Sequence, residues 1–226
     1  MKLTSRRSAF GLVVLSVGAA LLAGCGGGGD PLTNPSTVTN PVATGAGASG
    51  SNLSFAYFQK CVEPIFLKQL TITQNGVTST NTCSGAGCHD SNTGKGGALR
   101  VIVAAPAASL PTSYAPSGEP ANADDVTALH AADMYKNFYS AQGVTIPGSP
   151  LQSRLIEKPL LLNVLHGGGQ VFPGLDDPNV KVISYWISHP MPNGQSELNS
   201  SASTMFTPQP DLTQTDPLAN VTCNTQ

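Results

Sequence analysis

Apolar residues recur at helical spacing at Phe55, Phe58, Val62, Ile65 and Phe66, which predicts a helix over roughly 54–69 that Pro64 bends or shortens. Leu70 to Thr80 follows, with Asn75-Gly76 between β-compatible flanks, the pattern of a small hairpin. Cys83 to Gly97 is rich in Gly, Ser and Asn and reads as a loop; Ala98 to Val103 is a short apolar run, and Pro106 to Pro120 is irregular. Asn122 is placed to cap a helix reaching about Ser140, with Val126, Leu129, Met134 and Phe138 inward. Ser149-Pro150 opens a short helix to about Glu157, and Asp177-Pro178 opens another ending near Ser188, with Val182, Ile183, Trp186 and Ile187 on its apolar side. The last thirty-odd residues are polar and Pro-rich and read as a strap over the domain, and no internal repeat is present.

The N-terminus changes the picture. Lys2, Arg6 and Arg7 precede an apolar stretch from Ala9 to Ala23, too short for a comfortable membrane span and suited to a signal-peptide core. It ends in Leu22-Ala23-Gly24-Cys25, which resembles the bacterial lipobox. Residues 1–24 are then a removable leader, Cys25 is the lipid-bearing first mature residue, and Gly26, in place of an Asp, favours the outer membrane. Residues 25–51 form a flexible tether of small and polar residues, and 52–226 the folded domain.

Without the leader, eight basic residues face 13 acidic ones, a balance of −5. Nucleic acid is excluded as a partner because it needs a basic face. Five cysteines in an oxidising compartment need partners. With Cys25 lipidated and Cys83 and Cys88 beside His89, Cys61 and Cys223 remain. Parity favours a disulfide between them, clipping the tail to the first helix; two free buried thiols are the other reading.

The chemistry concentrates in Cys83-Ser84-Gly85-Ala86-Gly87-Cys88-His89. A c-type haem attachment site ends in Cys-His, with two thiols bonded to the haem vinyl groups and the histidine on one face of the iron. The usual spacing has two residues between the cysteines and here there are four; Gly85, Ala86 and Gly87 would let a longer loop bulge away. The same residues are compatible with a zinc site, which lacks an obvious fourth ligand, or with a plain Cys83–Cys88 disulfide.

The order of further elements resembles class I c-type cytochromes, in particular the single-haem domains of planctomycete and proteobacterial secreted proteins. The elements are Val62-Glu63-Pro64-Ile65-Phe66, Cys88-His89-Asp90, Lys95-Gly96-Gly97-Ala98-Leu99-Arg100, Pro147-Gly148-Ser149-Pro150 through Leu155, and Trp186-Ile187-Ser188-His189-Pro190, over about 52–194. The resemblance implies a mainly α, cytochrome c-like helical domain with long irregular loops and a small hairpin insertion. It also implies one covalent haem c on Cys83 and Cys88 with iron held by His89. Many relatives carry a Met-Pro-Pro before the Trp-Ile helix; here His166-Gly167-Gly168-Gly169 stands in that place, so His166 is the expected second axial ligand. Met191, which follows the helix, is the second choice. His130 and His189 read as surface or capping residues, and Trp186 as packed near the haem or simply in the core.

Six-coordinate iron with two histidines has no open position, so the resemblance implies a membrane-tethered single-electron carrier rather than an enzyme, with redox proteins as partners and the bilayer bound through Cys25. A haemless, disulfide-stapled lipoprotein serving as a binding or assembly module is the principal alternative, and a peroxidase-like or sensory haem with a labile ligand is a third. No nucleophile–base pair or paired acids suggest a hydrolase.

Overall fold

The computed structural model describes residues 52–226 except Ser203; the leader, Cys25 and the tether lie outside the described residues. The expected first helix forms in three pieces: α1 (Phe55–Tyr57), a π-helical turn (Phe58–Val62) and α2 (Glu63–Leu67). The Ser54 side chain accepts from Tyr57 N–H and starts it. Pro64 explains the widened turn. Its ring crowds the carbonyl four residues back and it has no N–H to give, so the segment passes through i→i+5 geometry before regaining α form.

The hairpin forms as expected, β1 (Leu70–Gln74) against β2 (Val77–Asn81), with Gln74 opposite Val77 across a two-residue turn. Asn75 and Gly76 both have positive φ, 51° and 78°, the backbone that a tight hairpin turn demands.

The helix expected from Asn122 to about Ser140 is instead two helices, α3 (Ala123–Ala131) and α4 (Asp133–Gln142), with Ala132 extended between them. No Gly or Pro forces this break. The two halves answer to different surroundings: α3 buries Leu129 alone, whereas α4 buries Met134, Asn137, Phe138 and Ala141. Tertiary packing of α4 therefore overrides local helix preference. The Ser149-Pro150 signal likewise yields a 3₁₀ turn (Pro150–Gln152) and then α5 (Arg154–Leu160), separated by Ser153. The buried Ser153 hydroxyl accepts from Ile146 N–H at 2.8 Å and donates to the Ser149 carbonyl at 2.9 Å, which holds the break. The helix α6 (Pro178–Ser188) matches its expectation, with the Asp177 carboxylate accepting from Asn179 N–H.

An aromatic core joins these pieces. Trp186 of α6 is fully buried against Phe58 (ring centres 5.4 Å) and Phe138 (6.1 Å), and its indole N–H donates to the Ser54 carbonyl. The strap wraps back as expected: β3 (Phe206–Thr207) pairs with β4 (Thr222–Cys223), and a disulfide joins Cys223 to Cys61. The architecture is thus short helices and two small antiparallel sheets connected by long loops, less helical than the mainly α expectation because the expected helices are broken at Pro64, Ala132 and Ser153 and long loops join them. No helix among the described residues is long and apolar enough to cross a membrane.

Candidate functional site

Between α2, the hairpin, α5 and α6 lies a cavity of about 390 Å³, within the usual size of a cofactor pocket. Phe66, Leu70, Ile72, Phe172 and Ile183 supply apolar wall. Cys83, Cys88, His89 and His166 all line it, although up to 83 residues separate them in the chain.

The cysteine–histidine loop is tied down at several points. Ser84 N–H donates to the Phe66 carbonyl at the end of α2, His89 N–H to Cys83 O, and Gly96 N–H to Cys88 O. Both thiols are free and half-buried. Burial pushes the Cys83 thiol up to about 12, with Cys88 adding to the rise, so it stays protonated at neutral pH. The Asn81 amide donates to the Cys88 sulfur at 3.5 Å.

The segment after the loop fixes the first imidazole. Val101 N–H donates to His89 O, Arg100 N–H to the Ser140 hydroxyl, and Asn137 clamps Ile102 through both its N–H and its carbonyl. The Leu99 carbonyl held there lies 3.1 Å from His89 Nδ1. Burial pushes the His89 imidazole down. The Leu99 carbonyl opposes this, and the nearby His166, Arg100 and Lys158 side chains reinforce it. Gly96 leaves the ring room, since a Cβ there would lie 2.6 Å from His89 Cε1 and Nδ1.

The second imidazole rides on a loop anchored by two neighbours. Helix α5 ends with Leu161 in the left-handed region (φ 56°), and Leu162 N–H closes back on the Glu157 carbonyl. The hairpin then takes hold: Thr73 and Gln170 exchange reciprocal backbone bonds of 2.9 and 2.8 Å, and the Gln74 amide donates to Gly167 O at 2.6 Å. Gly169 (φ 84°) permits this approach, because a Cβ would lie 2.5 Å from the Thr73 carbonyl. His166 Nδ1 lies 2.7 Å from its own loop's Gly169 carbonyl.

A carbonyl oxygen only accepts, so in each ring Nδ1 is the nitrogen that donates to it, which turns Nε2 away from that bond. The rings lie nearly parallel, 9° apart, with centres 6.3 Å from one another. Among the described residues no group of three or more His, Cys, Asp or Glu side chains is placed to hold a metal ion, so a zinc site on Cys83, Cys88 and His89 finds no complete ligand set.

The remaining candidates lie elsewhere. Met191 is fully buried but does not line the cavity. Trp186 belongs to the aromatic core and not to the cavity wall, the plainer of its two readings. His130 is exposed beside the Tyr135 ring, and His189 caps α6 near the Tyr185 carbonyl. Sequence reasoning named Lys95 and Gly96 only as part of the Lys95–Arg100 element and gave them no role, and it missed the hairpin's hold on the His166 loop and the placement of Arg154 and Lys158 on the cavity wall. Only the i, i+4 spacing of Arg154 and Lys158 offered a signal. No protein-family model, curated protein or solved structure matches the chain.

Proposed function

We propose that the domain is a c-type cytochrome that carries one covalently bound haem and passes single electrons. The observation that carries the reading is the near-parallel His89–His166 pair facing one cavity with two free thiols. Two metal–imidazole bonds of about 2.0–2.1 Å, plus the roughly 1.1 Å from each nitrogen to its ring centre, put collinear ring centres about 6.3 Å apart. The observed 6.3 Å matches the spacing such a collinear arrangement would need. The Nδ1–carbonyl bonds on both sides are the outer-shell contacts that orient ligating histidines and raise their basicity.

In this reading His89 and His166 would hold the iron, and Cys83 and Cys88 would carry the thioether bonds. Bound haem would supply a one-electron couple, and two histidine ligands would give it a lower potential than a methionine ligand would. The chain's own residues hold the imidazoles and exclude water. Phe66, Ile183 and Phe172 present apolar surface, and the hairpin keeps the His166 loop closed over the cavity. Little then needs to reorganise when the charge on the iron changes. Delivery to the outer membrane through a lipid on Cys25, and exchange of electrons with other redox proteins, rest on the leader sequence and on this chemistry.

The test is expression in a host with haem-attachment machinery, followed by intact-mass and pyridine-haemochrome measurement. The expected result is one haem that resists acid–acetone extraction in the wild type. Cys83→Ala should lose one thioether or the haem altogether. A colourless protein with an oxidised Cys83–Cys88 pair would refute the proposal.

A further inference from the structure

The cavity wall carries charge of one sign. Lys95 projects from the cysteine–histidine loop and Arg154 and Lys158 from α5, four residues apart on one face. No Asp or Glu lines the cavity. This runs against the chain as a whole, where acidic residues outnumber basic ones. Nor are these cations used internally. The ion pairs among the described residues are Lys136–Asp133 and Lys181–Asp176, and the side chains of Lys95, Arg154 and Lys158 have no hydrogen-bond or ion-pair partner there. The neighbouring Arg100 is different, since its guanidinium donates to the Gly96 carbonyl and helps hold the loop. Glu157, the acid of α5, stays off the cavity wall.

An apolar cavity edged by three uncompensated cations suits a flat apolar body bearing carboxylates. We propose that Lys95, Arg154 and Lys158 bind the two propionate carboxylates of the haem, an inference that rests on the cytochrome reading above. Arg154 offers a planar two-pronged donor, and Lys158, half-buried, is the cation whose charge also reaches His89. Charge-assisted bonds of this kind would hold the haem in the cavity independently of the thioethers. They also offset two negative charges near the iron and so support its reduced state.

The test uses purified holoprotein with haem labelled by ¹³C at the propionate carboxyls. Arg154→Gln, Lys158→Gln and Lys95→Gln are compared with Arg154→Lys, Lys158→Arg and the remote control Lys136→Gln. The readouts are covalent haem per chain, midpoint potential, and the labelled carboxylate band in the redox-difference infrared spectrum. The expected result is unchanged haem content, a lowered midpoint and a shifted carboxylate band in the three Gln variants at the cavity. The conservative swaps should restore both, and the control should match the wild type. Full haem content with midpoint and band unaltered in all three Gln variants would overturn the propionate assignment and leave the cytochrome reading standing. Absence of covalent haem from the wild type would overturn both.

Discussion

Two single residues concentrate the local physics. Gly96 lies against the His89 ring, and a methyl group there would meet both the imidazole at 2.6 Å and the Cys88 carbonyl at 2.8 Å. Gly96→Ala should therefore cost roughly 1–3 kcal/mol of stability, as overpacking does, and, if the proposed haem is bound, should alter its absorption spectrum. Denaturant unfolding and the visible spectrum of the variant check both effects. Glu63 is the other. It is 2 % exposed; Asn137 donates to its Oε1 at 2.9 Å, and its Oε2 has no partner among the described residues. Burial raises its carboxyl from 4.5 to about 7, against the opposing Asn137 bond. Between those values the folded chain holds a proton that the unfolded chain has lost. The group's contribution to stability is thus fully present below pH 4.5 and is lost as pH rises through 7. Glu63→Gln should gain on the wild type by roughly 3 kcal/mol between about pH 4 and pH 8 in urea titrations. Parallel pH profiles of the two proteins would contradict this. Nothing in Val62-Glu63-Pro64-Ile65-Phe66 distinguishes a buried acid from an exposed one, because the partner that buries it, Asn137, comes from a distant helix.

Elements whose ends are written locally were the legible ones. The Asn75-Gly76 turn and the Asp177-Pro178 start of α6 each follow from two adjacent residues with strong backbone preferences, and both formed where expected. The break at Ala132 and the extended Ser153 were illegible, since each is imposed by contacts distant in sequence. The Cys61–Cys223 pairing was reached by parity, and its consequence belongs to this scale. It closes a span of 162 residues between the first helical segment and the strap. The Tyr57 hydroxyl, which donates to the Asn224 carbonyl at 2.5 Å, supports the same junction. Replacing both cysteines with alanine should lower stability by about 2–5 kcal/mol, read as a lower denaturant midpoint, because a long loop is freed in the unfolded chain. Hydrogen exchange should localise the loosening to β3 and β4. An unchanged midpoint would mean that the strap is held by packing alone.

At the scale of the whole molecule, the fold converts four residues scattered from Cys83 to His166 into one site. The hairpin is central to this: read from the sequence as a small insertion, it is the piece that clasps the His166 loop through Thr73, Gln74 and Gln170. The choice of His166 rested on its place before the Trp-Ile helix, and the structure brings its ring beside His89 while leaving Met191 in a separate buried position. The cations of the cavity wall stayed hidden because charge patterning along the chain does not reveal which charges converge in space. The paired imidazoles carry the haem proposal, and the low-temperature EPR spectrum of the oxidised holoprotein tests them most directly. Ring planes 9° apart predict the rhombic low-spin signal of near-parallel bis-imidazole iron, converted to a high-spin signal by His166→Ala. A histidine–methionine spectrum, or a wild-type signal that survives His166→Ala unchanged, would contradict the assignment.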